Sequence, residues 1–399
     1  MWKLDHEASA DFFSPAAILS GPGAVVRAAD ALQQRAGILD GTLVLVADDI
    51  VIDSGLTAGL QQALSANGHD VVVVRGLGSE PTAEAIDEAS RTARDAGAVA
   101  VIGVGGGSVL DSAKIIALLL RNDGTVRDWI GAVDQSKSVA PLILVPTTCG
   151  TGSEATRVAM VTVDGVKRVS SSPNYIPDTV IIDQELAATL PGPVTASTGM
   201  DALAHAVESI MSTSRSPMTA HHAFRAIELI IDNLESACTG DREALAACLW
   251  ASHLAGQALN AGVVLGHSLS YCLSYERPMP HGTGCALALP YCLAYNSGMD
   301  PALGSALALA LTRGRSADLR AAAEEVKSLA ERIGLPTTLD QAGIAEGVER
   351  DIALRCVREY PRPTNPVPFE EEQLVRLVEA MRSGDLSEAF AVASVEVAR

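Results

Sequence analysis

One carboxylate and three imidazoles stand out among 399 residues: Asp201 and His205 in TGMDALAHAVES, then His267 and His281 in GVVLGHSLSYCLSYERPMPHG. Asp201 and His205 are four apart in an Ala-rich segment that reads as helix, so both side chains fall on one face. Such a pair is half of a coordination sphere on a rigid base, and His267 and His281 would have to arrive from elsewhere in the fold. Imidazole with carboxylate suits zinc or ferrous iron, whereas magnesium and calcium prefer all-oxygen sites. The competing reading of an Asp–His pair at helical spacing is a surface contact. What favours a metal is economy, because the chain has only eight His and three fall beside Gly or in apolar surroundings within this stretch.

The elements that must position these residues follow from the pattern of the rest of the chain. TLVLVA (42–47), DVVVVRG (70–76), AVAVIGV running into GGGS, and PLILVPTT (141–148) read as strands, each apolar throughout. Amphipathic segments separate them, including EPTAEAIDEASRTARDAG with its capping-type start and SVLDSAKIIALLL. Fully apolar strands alternating with helices predict a parallel sheet covered on both faces. From about Leu186 the periodicity is helical, and Pro191 and Pro193 punctuate the junction. The expected organisation is an α/β domain over 1–185 and a mostly helical domain over 186–399 that carries the four candidate ligands.

Composition narrows the function. A net charge of −19 argues against nucleic acid and anionic membrane surfaces as partners. Seven Cys, an odd number without close pairing, fit a reducing compartment, and Cys149, Cys272 and Cys285 read as small buried hydrophobes. The start, MWKLDHEASADFF, lacks the apolar core of a signal peptide, and the longest aliphatic run, IIALLL, is too short to span a bilayer. The expectation is a soluble cytoplasmic protein.

Three further segments carry chemistry. In GVGGGSVLDSAK (103–114), three successive glycines between a strand and a helix let backbone N–H groups approach a phosphate at a helix N-terminus. The same segment also reads as a tight turn with no ligand, and it is not GxGxxG. Asp48 closes the first strand, at the end of the sheet where open α/β folds bind ligands. A carboxylate there accepts from a ribose diol and repels a 2′-phosphate; alternatively Asp48 and Asp49 only begin a loop. PTTCGTGSEATR (146–157) offers hydroxyls and freed backbone at another strand end, as an adenine or pyrophosphate wall or as a simple Thr/Gly turn.

GGGSVLDSAK, PTTCGTGSEAT, TGMDALAHAVES and the segment ending PHG, in this order, resemble the iron-containing (group III) alcohol dehydrogenase family, which shares the dehydroquinate synthase-like fold. The resemblance runs from roughly Phe12 to the C-terminal helices. It implies a Rossmann-like α/β dinucleotide-binding domain, an all-α metal-binding domain, NAD(H), a divalent metal (iron, or zinc) and a small alcohol or aldehyde substrate. By motif, Asp201, His205, His267 and His281 match the metal ligands. Gly105, Gly106, Gly107 and Ser108 match the pyrophosphate loop, with Asp111 and Lys114 in the same signature. Thr147 and Thr148 match adenine-side residues, Asp48 the acidic residue associated with NAD, and Lys167 a ribose contact. A homo-oligomer, a dimer or larger, follows by the same analogy.

Two departures from the family pattern bear on the substrate. Tyr271 stands four residues after His267, where many members carry another His near the nicotinamide, so Tyr271 becomes the candidate hydrogen-bond donor in the reaction. Arg157 and Arg277 flank the motifs and read as substrate-binding cations or as surface ion pairs. HSLSY is similar to branches acting on acidic aldehydes, such as phosphonoacetaldehyde reductases and hydroxyacid–oxoacid transhydrogenases. The expected activity is reversible hydride transfer on a small alcohol or aldehyde, neutral or bearing an acidic group. The alternatives are a lyase or cyclase of the dehydroquinate synthase kind, a transhydrogenase or a maleylacetate reductase-like activity.

Overall fold

The computed structural model describes residues 11–394, with side chains through 392. The amino-terminal stretch read above for its lack of an apolar core therefore lies, in its first ten residues, outside the described part. Phe13–Leu190 forms one compact unit and the residues from Pro191 onward another.

Nine short strands lie in the first unit: β1 Ala17–Ser20, β2 Gly41–Ala47, β3 His69–Val74, β4 Ala100–Gly105, β5 Gly131–Ala132, β6 Leu142–Pro146, β7 Val158–Val163, β8 Val166–Ser171 and β9 Thr179–Ile182. Six of them make one sheet in the order β1-β9-β6-β4-β2-β3, every pair parallel. The register of β2 on β4 runs from Leu43 opposite Ala100 to Ala47 opposite Val104. Val44 and Val46 of β2 join one apolar cluster while Leu43 and Leu45 join the other. Both faces are thus buried, which is why the strands read as unbroken Val, Leu and Ile runs.

Three helices of this unit matter here: α1 Ala58–Ala66, α2 Ala83–Asp95 and α3 Gly107–Leu119. Thr82 caps α2, its hydroxyl accepting from the Ala85 amide at 3.2 Å, so the sequence signal for that start corresponds to a real cap. Five strands lie outside the expected ones: β1, β5, β7, β8 and β9. β7 and β8 form an antiparallel hairpin, closing from Val158 opposite Ser171 to Val163 opposite Val166, with β5 alongside β8. The reversal is made by Asp164 and Gly165, at φ 52° and 74°, the pair of positive φ values that a tight hairpin turn demands.

The second unit is helical throughout its described residues: α4 Gly192–Met211, α5 Pro217–Cys238, α6 Arg242–Ala258, α7 Leu265–Glu276, α8 His281–Tyr295, α9 Pro301–Leu311, α10 Leu319–Arg332, α11 Glu349–Glu359, α12 Glu371–Ser383 and α13 Leu386–Ser394. From Gly282 to Tyr295 every residue of α8 is buried. A helix apolar all round is a central one, and α8 packs against α4, α7 and α10. Among the described residues, no helix is long and apolar enough to cross a membrane.

Candidate metal centre and dinucleotide loop

Helix α4 begins at Pro191, whose extended conformation and missing N–H suit a helix entrance. Asp201, His205 and Glu208 then fall at i, i+4 and i+7, on one buried face. His267 lies in the first turn of α7, and His281 opens α8 directly after Pro280. These three helices bring the four candidate ligands together. Asp201 Oδ1 lies 3.6 Å from His205 Nε2, 3.7 Å from His267 Nε2 and 3.6 Å from His281 Nε2. The His205 and His267 rings stack at 4.8 Å.

The close approach of α8 to α4 depends on Gly282, where a Cβ would lie 1.9 Å from the Ser197 carbonyl oxygen. Gly266 serves the same end beneath His267, where a Cβ would meet Glu208 Oε1 at 2.5 Å.

The ring orientations follow from neighbours that the sequence analysis missed. Glu208, fully buried, accepts from His267 Nδ1 at 2.7 Å and from the Val264 and His267 amides at 2.7 and 3.3 Å. In the neutral ring, a proton held on Nδ1 by Glu208 leaves a lone pair at Nε2, towards Asp201. Ser270 Oγ donates to the His281 carbonyl at 3.1 Å and lies 3.3 Å from His281 Nδ1. Its one proton is spent on the carbonyl, so it accepts from Nδ1, and His281 Nε2 also faces Asp201 as a lone pair. A signal for Glu208 existed in the heptad spacing from Asp201; Ser270 carried none.

Burial alone would push the Asp201 carboxyl up, but the nearby His205, His281 and His267 outweigh it and hold the group well below the usual carboxylate range. His267 is raised well above the ordinary imidazole value: burial opposes the cation, while Cys285, Glu208 and Asp201 favour it. Four donors preset to attract positive charge, spaced as ligands of one ion about 2.1 Å away would be, fit a divalent cation. Three imidazoles with one carboxylate suit iron or zinc.

Around the half-exposed His281 lies an aromatic and cationic rim. Tyr271 stacks on the His281 ring at 5.2 Å and meets His267 edge-on at 6.2 Å. The Arg362 guanidinium lies 5.9 Å from the Tyr271 ring centre, and its Nε donates to Ser268 Oγ at 3.1 Å. Ser268 in turn donates to the Tyr360 carbonyl at 2.7 Å. Among the described residues, no carboxylate pairs with Arg362. No local pattern in the sequence singled it out.

Of the two cations that the sequence did single out, Arg277 is exposed and donates through Nη1 to the Ala342 carbonyl at 2.8 Å. Arg157 belongs to the first unit, where its guanidinium covers the Phe13 ring at 5.4 Å.

In the first unit, Gly105 ends β4, Gly106 caps α3, and Gly107 and Ser108 open that helix. Thr151 packs so closely here that a Cβ on Gly107 would lie 2.6 Å from it. Thr148 lies against Gly106, and the Thr147 amide donates to the Gly105 carbonyl at 3.0 Å. Asp48, just after β2, accepts from the Gly106 amide at 3.4 Å; burial raises its carboxyl, the Gly106 bond lowers it, and Asp49 raises it again, with a net upward shift. Asp48, the glycine loop and both threonines therefore share one end of the sheet, next to a helix N-terminus that favours phosphate.

Asp111 and Lys114 are committed within the chain. Asp111 accepts from Ser153 Oγ at 2.5 Å and from the Met160 amide at 2.9 Å, and Lys114 donates to Ser153, Thr156 and the Val158 carbonyl. Lys167 pairs with Glu80 at 2.9 Å on the surface.

Comparison with known proteins agrees with this geometry. Residues 15–184 match the family model "Iron-containing alcohol dehydrogenase", and residues 195–382 match "Fe-containing alcohol dehydrogenase family, C-terminal". Long-chain-alcohol dehydrogenase 1 of Geobacillus thermodenitrificans is 33% identical over 87% of this chain and 91% of its own. Sulfoacetaldehyde reductase of Bilophila wadsworthia is 34% identical over 66% of this chain and 69% of its own. The crystal structure of sulfoacetaldehyde reductase from Bifidobacterium kashiwanohense in complex with NAD+ superposes with a TM-score of 0.86 at 28% identity, covering 95% of this chain and all of that one. With both halves matched in the expected order, the chain belongs to the iron-containing alcohol dehydrogenase family and is an NAD-linked oxidoreductase.

Proposed function

We propose that the chain reversibly interconverts a small aldehyde bearing an acidic group and the corresponding primary alcohol. Asp201, His205, His267 and His281 would hold the divalent metal, and the dinucleotide would lie against Asp48, Gly105, Gly106, Gly107, Ser108, Thr147 and Thr148. In this reading the residues up to 185 bind cofactor and those from 186 onward carry the chemistry. The observation that carries it is the convergence of three Nε2 atoms on Asp201 Oδ1 within 3.7 Å.

When bound, the metal supplies Lewis-acid polarisation of a substrate oxygen and NAD(H) supplies the hydride acceptor or donor. The chain's own part is positional. Glu208 and Ser270 fix which ring nitrogens face inward, and burial of Asp201 keeps competing water from its carboxylate. Tyr271, at the half-exposed side, offers a hydroxyl to the substrate. A phenol hydroxyl serves there as a hydrogen-bond donor rather than as a base. Replacing His267 with Ala is expected to remove bound metal and turnover together; turnover at the wild-type rate would eliminate the proposal.

The acidic group is supported by Arg362, a cation beside Tyr271 with no carboxylate paired to it among the described residues, and by the likeness to two sulfoacetaldehyde reductases. Guanidinium is well matched to sulfonate, phosphonate or carboxylate, because its planar fork binds two oxygens at once. Aldehydes carrying such groups, run against neutral aldehydes of equal length, give the test. Equal kcat/KM for both sets would remove the acidic part and leave the dehydrogenase. A homo-oligomer belongs to the same reading and is checked by light scattering on the intact chain.

A further inference from the structure

The donor cluster contains a side chain for which the reaction above has no use. Cys285 lies one turn after His281 on α8, at the same i, i+4 spacing that relates Asp201 and His205 on α4. It is 1% exposed, yet its surroundings are not apolar. Its Sγ is 3.5 Å from Asp201 Oδ1, 3.6 Å from His281 Nε2 and 3.9 Å from His267 Nε2. One donor atom from each of Asp201, His267, His281 and Cys285 falls within 4.8 Å of the other three.

These separations fit those of donors around one ion. With metal–sulfur near 2.3 Å and metal–nitrogen near 2.05 Å, a sulfur and a nitrogen on one zinc ion lie about 3.6 Å apart at the tetrahedral angle, and somewhat nearer or farther in a five-donor set. The Sγ–His281 Nε2 distance of 3.6 Å meets that value, and the Sγ–His267 Nε2 distance of 3.9 Å lies somewhat above it. Nor is the placement free to drift. Gly284, the residue before Cys285, lies so close to Ser270 that a Cβ would be 2.6 Å from its Oγ, and Gly282 is held equally tightly against Ser197. Both turns of α8 that bear donors are thus fixed by close contacts, Gly282 against the Ser197 backbone and Gly284 against the Ser270 side chain.

We propose that Cys285 is itself a metal ligand, completing a mixed sulfur, nitrogen and oxygen set with Asp201, His267, His281 and His205. The proposal rests on the metal reading of the preceding section. On binding, the S–H bond breaks, its proton leaves to water and the sulfur lone pair forms the bond to the cation; no electrons are transferred. Cys285 would then hold the metal together with the four expected residues, and the metal would supply the same Lewis-acid chemistry. A soft donor also moves the site's preference from ferrous iron towards zinc.

The test is cobalt(II) loaded into the whole chain, with bound metal quantified. The wild type should show thiolate-to-cobalt charge-transfer absorption in the near ultraviolet, and Cys285→Ser should lose it while keeping the weaker visible bands of bound cobalt. In competition between zinc and ferrous iron, Cys285→Ser should shift towards iron by about tenfold, the lower end of what even an outer contact is worth at a metal site. Because the variant could fail to fold, X-ray absorption of the zinc-loaded wild type gives an independent reading: one sulfur at about 2.3 Å. Bound cobalt without the charge-transfer band, a band that survives in Cys285→Ser, or zinc without sulfur overturns the proposal alone. A chain that retains no metal overturns the metal reading as well.

Discussion

Glu208 Oε1 and His267 Nδ1 are 2.7 Å apart, both groups buried, and the other Glu208 oxygen holds two amides at the start of α7. The carboxylate therefore fixes the imidazole ring and the backbone that carries it at the same time. Glu208→Gln would present an amide N–H to one of these donors. It is expected to weaken metal retention by about 10–100-fold, read by competition with a chelator. Unchanged retention would show that the ring is oriented by packing alone.

Arg362 is the cation on which acidic substrates should depend. A hydrogen bond to a charged group is worth about 1.5–3 kcal/mol, so Arg362→Gln should lower kcat/KM for acidic aldehydes by roughly 10- to 100-fold. Neutral aldehydes of equal length should change little. An equal loss on both sets would instead mark Arg362 as a prop for Ser268 and Tyr271.

Asp48 faces the glycine loop across the Gly106 amide. A carboxylate there should exclude a 2′-phosphate by like charge. Asp48→Ala is expected to raise the ratio of NADP to NAD specificity by about tenfold or more, a difference of about 1.4 kcal/mol. Parallel kinetics with the two cofactors decide it, and a wild type that prefers NADP would refute the assignment.

Lys114 is completely buried and joins α3 to Ser153, Thr156 and Val158. Lys114→Met leaves Asp111 without its cation and should cost about 3–5 kcal/mol in denaturant midpoint measurements. Burial also lowers the Lys114 pKa from 10.5, more strongly than Asp111 and Glu154 raise it. Between the lowered value and 10.5 the unfolded chain binds more protons, so this group's contribution to stability rises with pH across that window. Lys114→Met should remove that part of the slope.

Much of this was legible in the sequence, for identifiable reasons. Asp201 and His205 announce themselves through helical spacing, and β2, β4 and β6 through apolar runs that only a doubly covered sheet tolerates. The β7–β8 hairpin was less so, although Asp164–Gly165 between alternating residues is a strong turn signal; the polar Lys167 and Arg168 disguise a strand with one open face. Cys285 had the right spacing from His281, but a thiol in an apolar run looks like packing until its distances are known. Arg362 had no chance of being found, because its meaning comes from Tyr271 and Ser268, nearly a hundred residues away along the chain.

Gly282 leaves α8 touching α4 main chain to main chain, with no rotamer between them. The gap that the donors must bridge is thereby a property of the scaffold, as the bore of a gauge is independent of what is passed through it. Exchanging a donor side chain in such a frame alters which ion is held and how firmly, while the seat keeps its width. Enlarging Gly282 would do the reverse, leaving every donor chemically intact and out of reach of a shared ion.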